Sequence, residues 1–173
     1  ADYSADPLAR MLVREAATPD VVYLRDSQAA GEVAIWLGSG KPGSTHTGFP
    51  VLNSNQNVIG VLTRRDITSP GVDPAALLGT LIRRPPVVVE EASSVREAIE
   101  TMVMEGVGRL PVVSCEDGVR LTGIVTRSDL LGMYGKSLHE SHHFDRTIRL
   151  GAAANGAAKG NPSGGGYEPA CAD

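Results

Sequence analysis

Apolar residues in this chain recur with a helical period in some segments and form short runs in others. A helical stripe is clearest after residue 94, where apolar residues recur every three or four positions, at Val95, Ala98, Ile99, Met102 and Val103. Ser94 and Glu97 at its start match a capping box, and Gly106 follows its end. Pairs of apolar runs joined by polar turns, at 49–52 with 58–62 and at 110–113 with 121–125, predict two β-hairpins.

The same order of elements occurs twice. The motif Gly-x-x-Thr-Arg-x-Asp stands at 60–66 and again at 123–129, and Thr-Pro-Asp-Val-Val at 18–22 has its counterpart in Arg-Pro-Pro-Val-Val at 84–88. Each copy reads strand, helix, strand, strand, helix, which predicts an α+β fold. Because a unit of about 60 residues is marginally stable alone, we expect the two copies to pack through their sheets with approximate two-fold symmetry.

These patterns divide the chain into four parts. We expect a first repeat at 8–72, a second repeat at 73–136 and a polar helical extension at 137–150. Residues 151–173 are mostly Gly, Ala, Asn and Pro, with almost nothing large and apolar to bury. This composition predicts a disordered tail.

Composition places the chain among ordinary globular proteins, since 42% of its residues are hydrophobic and 21% are charged. A formal net charge of −4 argues against a nucleic-acid partner, because backbone binding needs clustered positive charge. The Arg-Arg pairs at 64–65 and 83–84 are too short to form such a cluster. No run approaches the roughly 18 apolar residues of a membrane-spanning helix, and no leader opens the chain, so we expect a soluble, cytoplasmic protein.

Two stretches of the second copy carry a family resemblance, Gly-Arg-Leu-Pro-Val-Val at 108–113 and Leu-Thr-Gly-Ile-Val-Thr-Arg-Ser-Asp-Leu-Leu at 121–131. With their partners in the first copy they resemble a tandem pair of cystathionine β-synthase (CBS) domains, a Bateman module. Finer features, in segments 18–22, 46–50 and 146–150, resemble the CBS pairs in the cytoplasmic C-terminal region of bacterial CLC-type chloride channels.

The resemblance implies a regulatory module rather than an enzyme. CBS pairs hold adenine nucleotides, such as AMP, ADP, ATP or S-adenosylmethionine, in two clefts between the repeats. It also implies an attached or associated partner, most specifically a chloride channel or another anion transporter, whose cytoplasmic sensor this chain would form.

The expected site residues follow from the two Thr-x-x-Asp motifs. Their carboxylates can accept hydrogen bonds from both ribose hydroxyls, and their hydroxyls and the helix amides can meet a phosphate, which selects Thr63, Asp66, Thr126 and Asp129. An apolar wall for adenine would come from Val21, Val22, Phe49 and Pro50 in one cleft, or from Val87, Val88, Leu110 and Pro111 in the other. Arg109 is a candidate phosphate ligand.

The two clefts should differ in affinity. The second copy reaches its motif through the compact segment 106–111, which carries Arg109. The first copy has a long Gly/Ser/Pro-rich loop at 38–48, whose ordering would cost entropy on binding. We therefore expect the cleft of Asp129 to bind more tightly than that of Asp66.

Other interpretations of the same residues remain open. Thr-x-x-Asp is also a capping-box variant that could serve only to start a helix. The alternative function is a stand-alone CBS pair that acts as a protein-interaction or dimerisation module with empty clefts. The apolar helical stripes also predict a homodimer.

A third interpretation comes from residues 139–143, which match the His-Glu-x-x-His pattern of zinc hydrolases. This segment is polar and offers no evident third ligand or apolar cavity, so we expect no metal site and a solvated helical extension instead.

Overall fold

The computed structural model describes residues 6–151, and within them the side chains other than those of Ser141 and residues 143–151. The tail expected after Gly151 lies outside the described residues. Two short helices open the chain, α1 (Pro7–Arg10) and α2 (Val13–Ala16). The first repeat then contributes β1 (Leu24–Arg25), α3 (Ala30–Leu37), β2 (Gly48–Leu52), β3 (Val58–Thr63) and α4 (Arg64–Thr68). The second contributes α5 (Leu78–Leu81), β4 (Val89–Glu90), α6 (Val95–Glu105), β5 (Arg109–Val113), β6 (Leu121–Thr126) and α7 (Arg127–Gly151).

Each repeat folds around one three-stranded sheet. In the first sheet β1 pairs with β2 in parallel and β2 pairs with β3 as an antiparallel hairpin, and β4, β5 and β6 repeat this arrangement. The registers also correspond, because Val51 lies opposite Gly60 and Val112 lies opposite Gly123. The predicted α+β fold with two equivalent sheets is confirmed.

Capping explains where the best-defined helix begins and ends. Ser94 and Glu97 exchange hydrogen bonds between side chain and backbone N–H, each of 3.1 Å, as the capping box predicts. Gly106 closes α6 in the left-handed conformation, with φ of 65°, which costs glycine no steric strain. In the second repeat α7 runs on without a break to Gly151, so the segment expected as an extension at 137–150 continues this helix.

The segment that precedes the first strand of each repeat packs on the core of the other repeat. Val13 of α2 is completely buried in the core of the second repeat, and Thr18 pairs with Ile124 of β6. Conversely, Leu78 of α5 is completely buried in the core of the first repeat, and Leu77 pairs with Ala29 at the start of α3. Each core is therefore completed by chain that lies just outside the repeated strands.

The two hairpins meet beside their turns. Val58 of β3 donates its backbone N–H to Val119 at 2.8 Å, and Asn57 pairs with Arg120. Leu52, Val58 and Val113 form a small buried cluster at this junction. Hydrophobic contact and hydrogen bonds thus hold the sheets together at one end, and a cleft opens elsewhere between the repeats.

Candidate functional site

A cavity of about 860 Å³ lies between the repeats, within the usual size range of ligand sites. Its walls come from the start of β2, from β3 and α4, from the connection at 81–87 and from the turn at 106–109. Both repeats therefore contribute to one site. Of the residues expected from sequence, it gathers Thr63, Asp66, Val87 and Arg109.

Asp66 stands at the start of α4, where one carboxylate oxygen caps the helix. Its Oδ2 accepts hydrogen bonds from the backbone N–H of Thr63 at 2.8 Å and from the Thr63 hydroxyl at 2.7 Å. The Thr63 hydroxyl oxygen also accepts from the N–H of Asp66 at 3.2 Å. Among the described residues nothing donates to Oδ1, and Asp66 is exposed. The cap and a ligand contact can therefore coexist on one carboxylate.

Arg109 crosses from the second repeat to the first. Its Nη2 donates to Thr47 Oγ1 at 2.9 Å and its Nη1 donates to the Gly48 carbonyl at 3.4 Å. The Thr47 carbonyl in turn accepts from the backbone N–H of Arg64 at 3.0 Å, which ties this residue to the start of α4. The guanidinium of Arg109 thus lies in the cavity of Asp66, whereas the sequence placed it beside Asp129.

Two further arginines, which the sequence did not predict as site residues, line the cavity. Arg83 and Arg84 lie on the connection between the repeats, both are exposed, and both line the cavity. The pair entered the sequence argument only as a small part of the net charge. A usable signal was present, since Arg84 occupies the repeat position that corresponds to Thr18.

The residues expected to form the adenine walls divide between core and cavity. Phe49, Pro50, Leu110 and Pro111 are completely buried. Phe49 packs edge to face against Trp36 with ring centroids 5.6 Å apart, and none of the four lines the cavity. Strand β2 is buried along its whole length, and of its residues only Gly48 at its start lines the cavity.

The valines expected in the walls also separate. Val87 lines the cavity, while Val88 packs against the cluster beside the hairpin turns. Val22 packs on the first core and lines a small groove of about 210 Å³ with Trp36, and its neighbour Val21 is half-buried. Other apolar residues of the large cavity lie on β3, after α4 and on the connection, namely Val61, Leu62, Val72, Leu81, Pro85 and Pro86.

Thr126 and Asp129 repeat the cap but not the cavity. Asp129 Oδ2 accepts from the N–H of Thr126 at 2.8 Å, and both residues are half-buried outside the lining of the 860 Å³ cavity. The backbone of Thr18 exchanges two hydrogen bonds of 2.9 Å with Ile124 on the adjoining strand. The carbonyl oxygen of Thr18 lies 3.1 Å from the position that a Cβ atom added to Gly123 would occupy. The N-terminal segment thus covers β6 next to this second motif.

The long loop at 38–48 is anchored by a side chain of the motif itself. Arg64 donates through Nη2 to the Leu37 carbonyl at 3.1 Å and through Nη1 to the carbonyl of Ser44, which is completely buried. Arg64 therefore caps the end of α3 and fixes the loop, as a cation near a helix C-terminus does favourably. Its charge is directed to these carbonyls.

The His-Glu-x-x-His segment lies on α7. His139, Glu140 and His142 are exposed, and the side chains of Ser141 and His143 lie outside the described ones. Within residues 6–151, as far as side chains are described, no three His, Cys, Asp or Glu residues come together as metal ligands. Along the same part of the chain, no helix has the length and hydrophobicity needed to cross a membrane.

Comparison with known proteins follows the repeats. The family model described as CBS domain matches residues 13–70 and again 78–136. An uncharacterised protein of Methanopyrus kandleri is 35% identical over 124 residues, covering 69% of this chain and 60% of that protein. YtoI of Bacillus subtilis is 35% identical over 86 residues, covering 50% of this chain and 19% of YtoI. The chain thus spans 60% or less of the length of these relatives.

Solved structures share the fold. The cytosolic domain of the Mg²⁺ channel MgtE, in complex with ATP, is 29% identical with a TM-score of 0.59, and the match covers 68% of this chain and 46% of that one. CBSX2 in complex with AMP has a TM-score of 0.60 at 23% identity, and the match covers 73% of this chain and 97% of that one.

Proposed function

Since this chain belongs to the CBS domain family, as its two repeats predicted, we propose that it is a regulatory module that binds an adenine nucleotide in the cavity of Asp66. The single observation that carries this proposal is the composition of that cavity. It brings together a carboxylate oxygen to which no described residue donates a hydrogen bond, an arginine of the other repeat, and apolar side chains. A ribose, a phosphate and a base find their complementary groups in one site.

The groups of the cavity suggest a binding pose. Asp66 Oδ1 would accept from the ribose hydroxyls while Oδ2 keeps the helix cap. Arg109 would meet a phosphate, and Val61, Val72 and Val87 would contact the base. The ATP complex of the MgtE cytosolic domain supports this ligand class. S-adenosylmethionine, the other expected ligand class, shares the ribose and the base but not the phosphate.

Regulation would operate through the contacts between the repeats. Arg109 of the second repeat holds Thr47 and Gly48 of the first. A phosphate that drew the guanidinium away would exchange these contacts for its own, and so favour one arrangement of the repeats over another. A ligand with different affinities for two arrangements shifts their equilibrium and passes the bias to an attached partner.

The regulated partner, we further propose, is a membrane transport protein, with this module on its cytoplasmic side. A CLC-type chloride channel is the specific candidate from the segments at 18–22 and 46–50. The likeness to the cytosolic domain of a Mg²⁺ channel favours a cation transport protein as the second candidate.

Self-association is the other interaction we propose. Val103 and Met104 on α6 are exposed over 75% and 83% of their surfaces, and Leu131 on the adjacent α7 over 63%. Such neighbouring apolar side chains are typical of a buried interface. A homodimer through α6 and α7 would cover them, and light scattering that shows only monomer at tens of micromolar would contradict it.

Calorimetric titration tests the ligand. The protein is titrated with AMP, ADP, ATP and S-adenosylmethionine, with GTP as a control for the base. We expect at least one adenine compound to bind in the micromolar range and GTP to bind more weakly. If none of the four binds at millimolar concentration, the clefts are empty and the interaction module is the better interpretation.

A further inference from the structure

The charges that line the cavity are unequal in number. Arg83, Arg84 and Arg109 carry three positive charges, and Asp66 carries the one negative charge among the lining residues. The chain as a whole is acidic, with a net charge of −4. Positive charge is therefore concentrated at this cavity against the overall balance of the protein.

These arginines are also not neutralised by the protein. The ion pairs of the described residues all involve Arg96, which joins Asp6 and Glu100. Arg109 is occupied by a hydroxyl and a carbonyl rather than by a carboxylate. Among the described residues, no hydrogen bond or ion pair engages the guanidinium of Arg83 or Arg84, and both side chains are exposed. An anion that entered the cavity would meet three guanidinium groups, none of which forms an ion pair with a described carboxylate.

The backbone of the connection leaves anion binding at this point to the arginine side chains. Pro85 and Pro86 line the cavity directly after the arginine pair, and proline has no backbone N–H. At these two positions the connection cannot build the nest of amides that often holds a phosphate. Its means of holding an anion are the guanidinium groups, which bind phosphate oxygens in a bidentate geometry.

We propose that Arg83 and Arg84 make this cavity selective for nucleoside polyphosphates over AMP and over S-adenosylmethionine. The inference rests on the proposed function and specifies its ligand. Arg109 would serve the first phosphate, which AMP also carries, and the arginine pair would serve the second and third. S-adenosylmethionine carries a sulfonium cation and no phosphate, so the excess positive charge disfavours it.

The test is a set of titrations with ATP, ADP, AMP and S-adenosylmethionine, made in EDTA so that Mg²⁺ does not mask the phosphates. We expect the parent to bind ATP at least tenfold more tightly than AMP, with ADP between them and S-adenosylmethionine weakest. The Arg83→Gln/Arg84→Gln variant should bind ATP at least tenfold more weakly and bind AMP within about threefold of the parent. Raising the NaCl concentration should weaken ATP binding more in the parent than in this variant.

Two controls separate selectivity from general effects of charge and folding. Arg10→Gln/Arg14→Gln removes the same charge from exposed positions on α1 and α2, outside the cavity, and should keep the ATP-to-AMP ratio of the parent. Arg83→Lys/Arg84→Lys keeps the charge and should retain most of the preference. Circular dichroism should be the same for all variants, because Arg83 and Arg84 are exposed.

The possible results distinguish failure of the polyphosphate selectivity from failure of adenine-nucleotide binding itself. If the parent binds AMP and ATP equally, or if the Gln variant keeps the ATP-to-AMP ratio, the arginine pair does not select and the inference is overturned while nucleotide binding stands. If the preference is lost equally in the control at Arg10 and Arg14, net charge is responsible and the inference is likewise overturned. If no adenine compound binds, the proposed function itself fails.

Discussion

Asp66→Asn is the substitution that separates ligand binding from helix capping at the Thr-x-x-Asp motif. In the parent, Oδ2 accepts the capping hydrogen bonds of Thr63 and Oδ1 has no donor among the described residues. Asparagine keeps one carbonyl oxygen for the cap and places an NH₂ group where Oδ1 stood. That group cannot accept a hydrogen bond from a ribose hydroxyl. The variant should therefore fold normally and bind poorly.

The size of the effect follows from the bond that is lost. A hydrogen bond to a charged group contributes about 1.5 to 3 kcal/mol. Because 1.4 kcal/mol is about tenfold in affinity, we expect binding of the preferred nucleotide to weaken by roughly 10-fold to 150-fold. Asp129→Asn, which alters the same cap outside the cavity, should change affinity less than about threefold. This order reverses the one that the sequence suggested, because the structure places Arg109 beside Asp66.

The assay is calorimetry, preceded by circular dichroism and thermal melting of each variant. Asp73→Asn serves as a matched control, since Asp73 also accepts a local backbone hydrogen bond, from Ala75, but lies outside the cavity. The reasoning is refuted if Asp66→Asn melts like the parent and binds nucleotide within twofold of it. In that case the carboxylate serves only as a cap.

Three further predictions concern stability. Gly60→Ala places a Cβ 2.7 Å from the side chain of Ile82. It should lower the free energy of unfolding by about 1 to 3 kcal/mol in urea titrations. Gly71→Ala, with open space around its Cβ, should leave that free energy unchanged. Arg64→Gln removes the anchor of the 38–48 loop and should lower the melting temperature and speed proteolysis there, and an unchanged digestion pattern would count against this role. Backbone N–H groups of the hairpin turn lower the pKa of Asp117 below 3.8, so its stabilising effect is present above that pH and is lost as the pH falls through the lower folded value. Asp117→Asn should flatten the acid limb of the stability curve below pH 3.8, and equal curves would contradict this cause.

Much of the fold could be predicted because local chemistry specifies it. The apolar stripe and capping box of α6 and the two hairpins appear where the sequence places them. The repeated motif also predicted that both helix starts would use the same cap, and the distances at Asp66 and Asp129 agree with this. These features depend on residues within a few positions of each other, which is the range over which periodicity is informative.

The contacts that residues of one repeat make with the other repeat could not be predicted in the same way. Val13 and Leu78 are apolar, but apolar character does not show which of two similar cores receives each of them. Arg109 was paired with the wrong motif by the same assumption, that neighbours in sequence share a cleft. Phe49 and Leu110 were expected in the apolar walls for adenine, yet both are completely buried in the cores.

The exchange of segments means that the boundary between the repeats in the sequence does not divide the structure into two complete cores. A cut between residues 72 and 73 would separate Leu78 from the core that it completes, and would leave Val13 on the fragment that does not need it. Each half would then expose the apolar surface that the other half covers. Neither repeat contains the whole of its own core, so we expect the two to fold and unfold as a single cooperative unit.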